Sequence, residues 1–174
     1  GVDHIPIHHE NEIAQAMGYC GKIPANYWMH VEFLQVNGAK MSKSLNNLYT
    51  IADLQEKGYE PAVFRMFNFT STYRAQINFT FEAMDSAKIA LKRLRDGYLK
   101  HKEGTETVPE SEIDEYKEKF LDAINDDLNM PVAMSIVWEV ARNNTKSKEF
   151  ANLLLDFDKV LGLDFENSEK HLEE

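Results

Sequence analysis

Residues 26–47 read Asn-Tyr-Trp-Met-His-Val-Glu-Phe-Leu-Gln-Val-Asn-Gly-Ala-Lys-Met-Ser-Lys-Ser-Leu-Asn-Asn, and this stretch decides the fold class. Tyr27 to Val36 is rich in aromatic and β-branched residues, the composition of a strand. Asn37-Gly38 follows, and that pair signals a two-residue hairpin turn because both residues tolerate positive φ. Ala39 to Asn47 is polar and basic without a period, so it reads as a loop. The spacing therefore predicts a strand, a tight turn and a loop carrying Lys40-Met41-Ser42-Lys43-Ser44. Two lysines and two hydroxyls within five residues can gather around a polyphosphate, with ammonium groups as point charges and hydroxyls and backbone N–H groups as donors. A solvated basic turn is the plain alternative for such a pentamer. The glycine pattern of a Walker-type loop is absent.

Upstream, Val2 to Ile7 reads as an apolar strand end broken by Pro6, and His8 to Met17 as a helix stopped by Gly18. Asp3 then sits at a strand end, where a carboxylate can accept hydrogen bonds from a ribose. On the helix His8 and Glu12 are four apart and share a face, and imidazole and carboxylate both suit Zn²⁺. Two donors are short of the usual four, and Cys20 lies too far along to be a third. A surface pair or cap is the plain alternative. His4, His30 and Trp28 read as core or rim residues.

Downstream, Ile51 to Lys57 forms a short helix before Gly58, and Pro61 opens another with Val63, Phe64 and Phe67. Thr70 to Thr80 is irregular. Phe81 to Tyr98 is a long helix, Lys102 to Pro109 a linker, and the remainder all-helical. There Ser111 with Asp114 predicts a capping box, Asn129 and Pro131 open a second helix, and Ser147 opens a third closed by Gly162. From about Asn167 the chain is polar and expected to fray.

The chain has 174 residues with 43% hydrophobic and 28% charged, a composition that suits a globular protein with a sizeable core. One cysteine excludes a disulfide framework. No apolar run reaches a membrane span, which points to a cytoplasmic protein with no membrane partner. Gly1 is not a natural start, so the N-terminus reads as cut from something longer. The net charge of −10 is uneven, with −1 over 1–50, +2 over 51–95 and −11 over 96–174. An acidic surface repels phosphate, so the middle zone is the better RNA landing surface and DNA is not expected as a partner. Arg74, Lys92 and Arg95 are its RNA-facing candidates, with Lys88, Lys92 and Arg95 at helical spacing; simple solubility is the alternative.

Together these features resemble the cysteinyl-tRNA synthetases. The ordered set is Gly1-Val2-Asp3, His8-His9-Glu10-Asn11-Glu12-Ile13-Ala14-Gln15, Asn26-Tyr27-Trp28-Met29-His30, Lys40 to Ser44, Tyr73-Arg74 and Asp126-Asp127-Leu128-Asn129-Met130-Pro131. It covers about residues 1–165. The resemblance implies an α/β plus all-α chain: over 1–50 the second half of a class I, Rossmann-type catalytic domain with its signature loop, over 51–101 a stem-contact region, over 102–110 a linker and over 111–174 a helical bundle. It implies ATP-dependent activation of L-cysteine and transfer to tRNA(Cys), with ATP and cysteine as substrates. Lys43 would bind ATP and stabilise the leaving pyrophosphate, Lys40 and Ser42 would support it, and Asp3 would contact the ribose. His8 and Glu12 match two zinc ligands of the full-length enzyme, whose metal binds the substrate thiolate and so rejects serine. The cysteine ligands belong to the missing first half, so zinc is not expected in this chain, which is expected to be inactive alone. His4-Ile5-Pro6-Ile7 replaces Leu-Ile-Phe-Pro, which leaves zinc use open even for the full-length protein. Asn46 replaces a glycine after the loop, a position asparagine tolerates in a left-handed backbone. The alternatives are a related cysteine–amino-sugar ligase and a non-enzymatic helical RNA-binding or adaptor module.

Overall fold

The computed structural model describes residues 1–172; the side chains of Lys43, His171 and Leu172 lie outside that description. The chain is mostly helical with a small mixed sheet. It forms two compact units: residues 1–47 with 73–79, and residues 48–72 with the chain from 80 onward.

In the first unit, strand β1 (Leu34–Val36) lies between β2 (Ala39–Lys40) and β3 (Ile77–Phe79). The β1–β2 pair is antiparallel, with Val36 opposite Ala39, and the β1–β3 pair is parallel, with Val36 opposite Phe79. The hairpin turn is the one that the sequence announces. Asn37 has φ 52° and Gly38 φ 73°. That is the pair of left-handed residues which matches the twist of flanking strands. The turn is fastened to the parallel strand as well: Asn37 N–H donates to Phe79 O (3.0 Å) and Gly38 N–H to Asn78 Oδ1 (2.7 Å).

Several expectations for this unit need correction. Val2–Ile7 is not a strand end; Val2–His4 is a 3-10 turn and Ile5–His9 a π-helical turn. Pro6 occupies the first positions of that turn, where its missing N–H is not needed. Helix α1 spans Glu10–Cys20 and passes through Gly18, ending at Gly21, whose φ of 67° supplies the left-handed cap. The strand expected over Tyr27–Val36 is confined to Leu34–Val36, because the neighbouring strands are only two and three residues long. Thr70–Thr80 is not wholly irregular, since it contains β3.

The second unit opens with α2 (Ile51–Glu56), whose Thr50 and Asp53 form a reciprocal capping box. Asp53 Oδ2 accepts from Thr50 N–H at 2.6 Å, and this bond holds the Asp53 carboxyl below its usual range. Helix α3 (Pro61–Asn68) packs on α4 (Phe81–Lys102), which starts at the Thr80 cap and outruns the expected end at Tyr98. Helices α5 (Glu110–Asn125), α6 (Met130–Arg142) and α7 (Lys148–Leu161) bundle with α4. Leu94, Val137, Val140, Phe150, Leu154 and Phe157 are its dry centre, and the Phe120 and Phe157 rings stack at 4.1 Å. Each such side chain contributes about 1.5–3 kcal/mol by leaving water.

Ser147 caps α7 by accepting from Phe150 N–H, and Gly162 ends it with φ 60°. The capping box at Ser111 and Asp114 is not formed: α5 begins at Glu110 with Pro109 at its cap and no side-chain cap bond. The expected linker segment runs against the chain that precedes α7. Glu106 pairs with Ser147, Val108 is buried, and a Cβ on Gly104 would stand 2.2 Å from the Lys146 carbonyl carbon. Where fraying is expected from Asn167, residues 168–172 form α8 (Ser168–Leu172), with Ser168 buried and Glu169 paired with Lys102 at 2.7 Å; residues 173–174 lie outside the described residues.

Candidate active-site elements

The signature loop hangs from the β1–β2 hairpin, so the tight turn fixes where it starts. Lys40 ends β2, exposed, with Nζ 6.0 Å from the Phe33 ring centroid. Lys43 to Leu45 makes a 3-10 turn, and the Lys43 side chain lies outside the described residues. Asn47 braces the loop from below: Ser42 N–H donates to Asn47 Oδ1 (2.8 Å), and Asn47 Nδ2 donates to Lys40 O (3.1 Å). Leu45 N–H donates to Ser42 Oγ (3.3 Å), which lies 3.2 Å from Ser44 Oγ. Asn46 takes φ 48°, the left-handed conformation anticipated for the residue that replaces glycine. A loop so tied presents its hydroxyls and Lys40 from a set backbone path. Asn46-Asn47 stands where the resembling family has Gly-Asn, but the bracing role of Asn47 is not legible in the sequence.

Asp3 is exposed and comes from the 3-10 turn rather than from a strand end; its Oδ1 lies 3.8 Å from His4 Nε2. The π-helical turn also changes the phase of the histidines. It brings His9 Nδ1 to within 3.3 Å of Glu12 Oε2, whereas His8 faces His4 with ring centroids 4.9 Å apart. His9 in turn meets Trp28 (4.6 Å) and His30 (4.7 Å), so His4, His30 and Trp28 belong to one imidazole-rich cluster. Burial lowers the pKa of His30, and His9, the chain terminus and His4 push it the same way. Glu12 thus stands beside His9, the neighbour of the His8 expected to share its face. Cys20 Sγ donates to Ala16 O (3.0 Å), and among the described residues no group of three or more His, Cys, Asp or Glu is placed to hold a metal.

The three RNA-facing candidates fare differently. Arg74 is exposed in the first unit, its Cζ 5.0 Å from the Tyr73 ring centroid. Lys92 is exposed on α4 in the second unit. Arg95 corrects the expectation, being only 3% exposed. Its guanidinium donates to Glu60 Oε1 (2.5 Å) and Oε2 (3.2 Å) and to Leu163 O (2.9 Å), so it ties the start of α3 to the chain after α7 and is no part of an RNA surface.

Two family models match the chain. The model of the class I (C) tRNA synthetase catalytic domain covers residues 1–89, and that of the DALR domain covers residues 119–166. The chain belongs to the class I (C) tRNA synthetase family. The sequence resemblance to cysteinyl-tRNA synthetases is thereby borne out. A cysteine–tRNA ligase of Legionella pneumophila (strain Corby) is 45% identical over 158 residues, which is 89% of this chain and 34% of the relative. Cysteine–tRNA ligase 1 of Burkholderia lata is 38% identical over 165 residues, 94% of this chain and 34% of the relative. The synthetase chain thus spans about a third of the length of the curated relatives it matches. No helix among its described residues is long and apolar enough to cross a membrane.

Proposed function

We propose that the chain supplies the signature-loop part of a cysteine–tRNA ligase, which activates L-cysteine with ATP and transfers it to tRNA(Cys). The braced Lys40–Ser44 loop carries this reading, together with the cysteine–tRNA ligases found among the relatives. In activation a cysteine carboxylate oxygen attacks the α-phosphorus of ATP. The bond to the β-phosphate oxygen breaks, cysteinyl-adenylate forms, and negative charge gathers on the departing pyrophosphate. An ammonium at that pyrophosphate lowers the barrier because its attraction grows as the charge develops. Lys43 takes that role, Lys40 and Ser42 hold the phosphates in register, and Asp3 accepts from the ribose. The sheet of the first unit is then the second half of a Rossmann-type domain, followed by the stem-contact region over 51–101 and the bundle over 111–174, with the protein working in the cytoplasm. His8 and Glu12 are donors awaiting others, and no step here runs through a metal.

Cysteine-dependent ATP–pyrophosphate exchange by a protein of the relatives' full length tests this. Lys43→Ala is expected to reduce the exchange rate about 10²- to 10³-fold, the range for loss of one group that stabilises developing charge. Absence of cysteine-dependent exchange in the parent, or an undiminished rate in the variant, overturns it. Transfer of the activated cysteine to an amino-sugar acceptor in place of tRNA would favour the related ligase instead.

A further inference from the structure

We propose that Asn78 is a positioning residue for the Lys40–Ser44 loop, its side-chain oxygen holding the hairpin turn from which the loop hangs; this deepens the ligase reading and rests on it.

The turn is a weak anchor by itself. It joins β1 to β2, which has only the residues Ala39 and Lys40 and pairs with β1 at the sheet's edge. In a two-residue turn the two central N–H groups have no partner within the hairpin. Without outside bonds the turn, and with it β2 and the loop, can swing about the end of β1. Both N–H groups are taken by successive residues of β3. Asn37 N–H donates to the Phe79 carbonyl at 3.0 Å, and Gly38 N–H donates to Asn78 Oδ1 at 2.7 Å. The first bond uses backbone that any residue carries. The second needs a side-chain acceptor two bonds beyond Cβ, which asparagine and aspartate supply. A backbone N–H can only donate, so the atom of Asn78 that faces it is the amide oxygen.

The register places Asn78 for this contact. Val36 and Phe79 lie opposite each other, both buried, and take one face of the ladder. Side chains alternate along a strand, so Asn78 stands on the other face, opposite Gln35. It is exposed and adds nothing to the core. Asparagine is also a poor strand former, so strand stability does not account for it in β3. What it adds is a bond across forty residues of chain to the root of the loop. Asn47 braces the same loop from its far end, through Ser42 N–H and the Lys40 carbonyl. In adenylate formation Lys40, Ser42 and Lys43 must meet the phosphates at a set distance, and a misplacement of about 1 Å is costly in rate.

Two variants separate positioning from stability. Asn78→Val removes the acceptor but suits a strand better, and Asn78→Asp keeps an acceptor in the same place. In this chain, Asn78→Val should speed amide hydrogen exchange at Gly38 severalfold without lowering Tm, and Asn78→Asp should stay near the parent rate. In a protein of the relatives' full length, Asn78→Val should lower kcat for cysteine-dependent ATP–pyrophosphate exchange about five- to tenfold, with KM for cysteine unchanged, and Asn78→Asp should recover to within about twofold of the parent. Unchanged amide exchange in Asn78→Val, an undiminished kcat, a loss that Asn78→Asp fails to restore, or a loss that tracks a fall in Tm overturns the proposal. A full-length parent with no cysteine-dependent exchange overturns the ligase reading, and amide exchange at Gly38 in this chain still decides whether Asn78 holds the turn.

Discussion

Arg95 and Glu60 form a two-pronged ion pair, at 2.5 and 3.2 Å, in which the guanidinium is almost wholly buried and the carboxylate is partly open to solvent. Such a pair is costly to halve, because removing one partner leaves the other charge poorly compensated. Arg95→Ala is expected to destabilise the second unit by about 3 kcal/mol, with Leu163 O losing its donor as well. Urea unfolding followed by circular dichroism measures it. A loss below about 1 kcal/mol would mean that the pair holds little together.

His101 gives the bundle a pH dependence. Its fully buried ring donates from Nε2 to Val140 O (2.9 Å), and Nδ1 faces Ser147 N–H at 3.5 Å, an arrangement for the neutral tautomer. Burial, then the Lys146 charge, lowers its pKa below the ordinary 6.5. The unfolded chain therefore binds the proton first. This contribution to stability is complete above about pH 6.5 and declines on acidification, by at most about 1.4 kcal/mol per pH unit, until the folded pKa is passed. Urea midpoints of the parent should fall between pH 7.5 and 5 more steeply than those of His101→Gln. Parallel curves would remove His101 as the cause.

Asn47→Ala should loosen the signature loop. Two hydrogen bonds across the loop are lost, each worth about 1 kcal/mol. Amide exchange at Ser42 should accelerate severalfold in this chain. If a protein of the relatives' full length performs the proposed pyrophosphate exchange, that rate should slow about tenfold while the global Tm barely moves. Unchanged exchange at Ser42 would show that the brace is not what orders the loop.

Leu128 sits at φ 56°, next to Asp127 at φ 53°, in the turn joining α5 to α6. A leucine held left-handed costs about 1–2 kcal/mol, which glycine avoids, while glycine adds back some unfolded-state freedom. The Leu128 side chain is 40% exposed, so little packing is lost. Leu128→Gly is expected to be stabilising by about 0.5–1 kcal/mol, read as a rise in Tm. A fall in Tm would mean that the side chain packs more than its exposure implies.

What the sequence discloses is chemistry that acts over a few residues. Asn37-Gly38, Pro61, Ser147 and Gly162 each impose a backbone conformation by themselves, and each stands where it was read. The β3 strand was illegible because its partner β1 lies forty residues earlier, and parallel pairing leaves no turn signal. Ser111 and Asp114 have capping-box spacing, but α5 starts one residue before Ser111, so the box falls out of phase. Spacing put Arg95 on a face with Lys88 and Lys92, yet periodicity gives direction and not depth, and Glu60 was available to bury its charge. The Lys40–Ser44 loop was legible as a motif; the reach of Asn47 depends on a backbone path that no pattern encodes. His8 and Glu12 were paired on α-helical spacing, which the π-helical turn alters.

The parallel pairing of Val36 with Phe79 has an outcome for anyone dissecting the molecule. The first unit closes only after the chain has spent residues 48–72 in the second, so neither can be excised with one cut. A protease nick within α2 or α3 would leave β3 covalently joined to residues 80 onward and held to the rest of the first unit by noncovalent bonds, its ladder with β1 and the Gly38–Asn78 hydrogen bond among them, and a separately expressed first unit would need residue 47 spliced to residue 73.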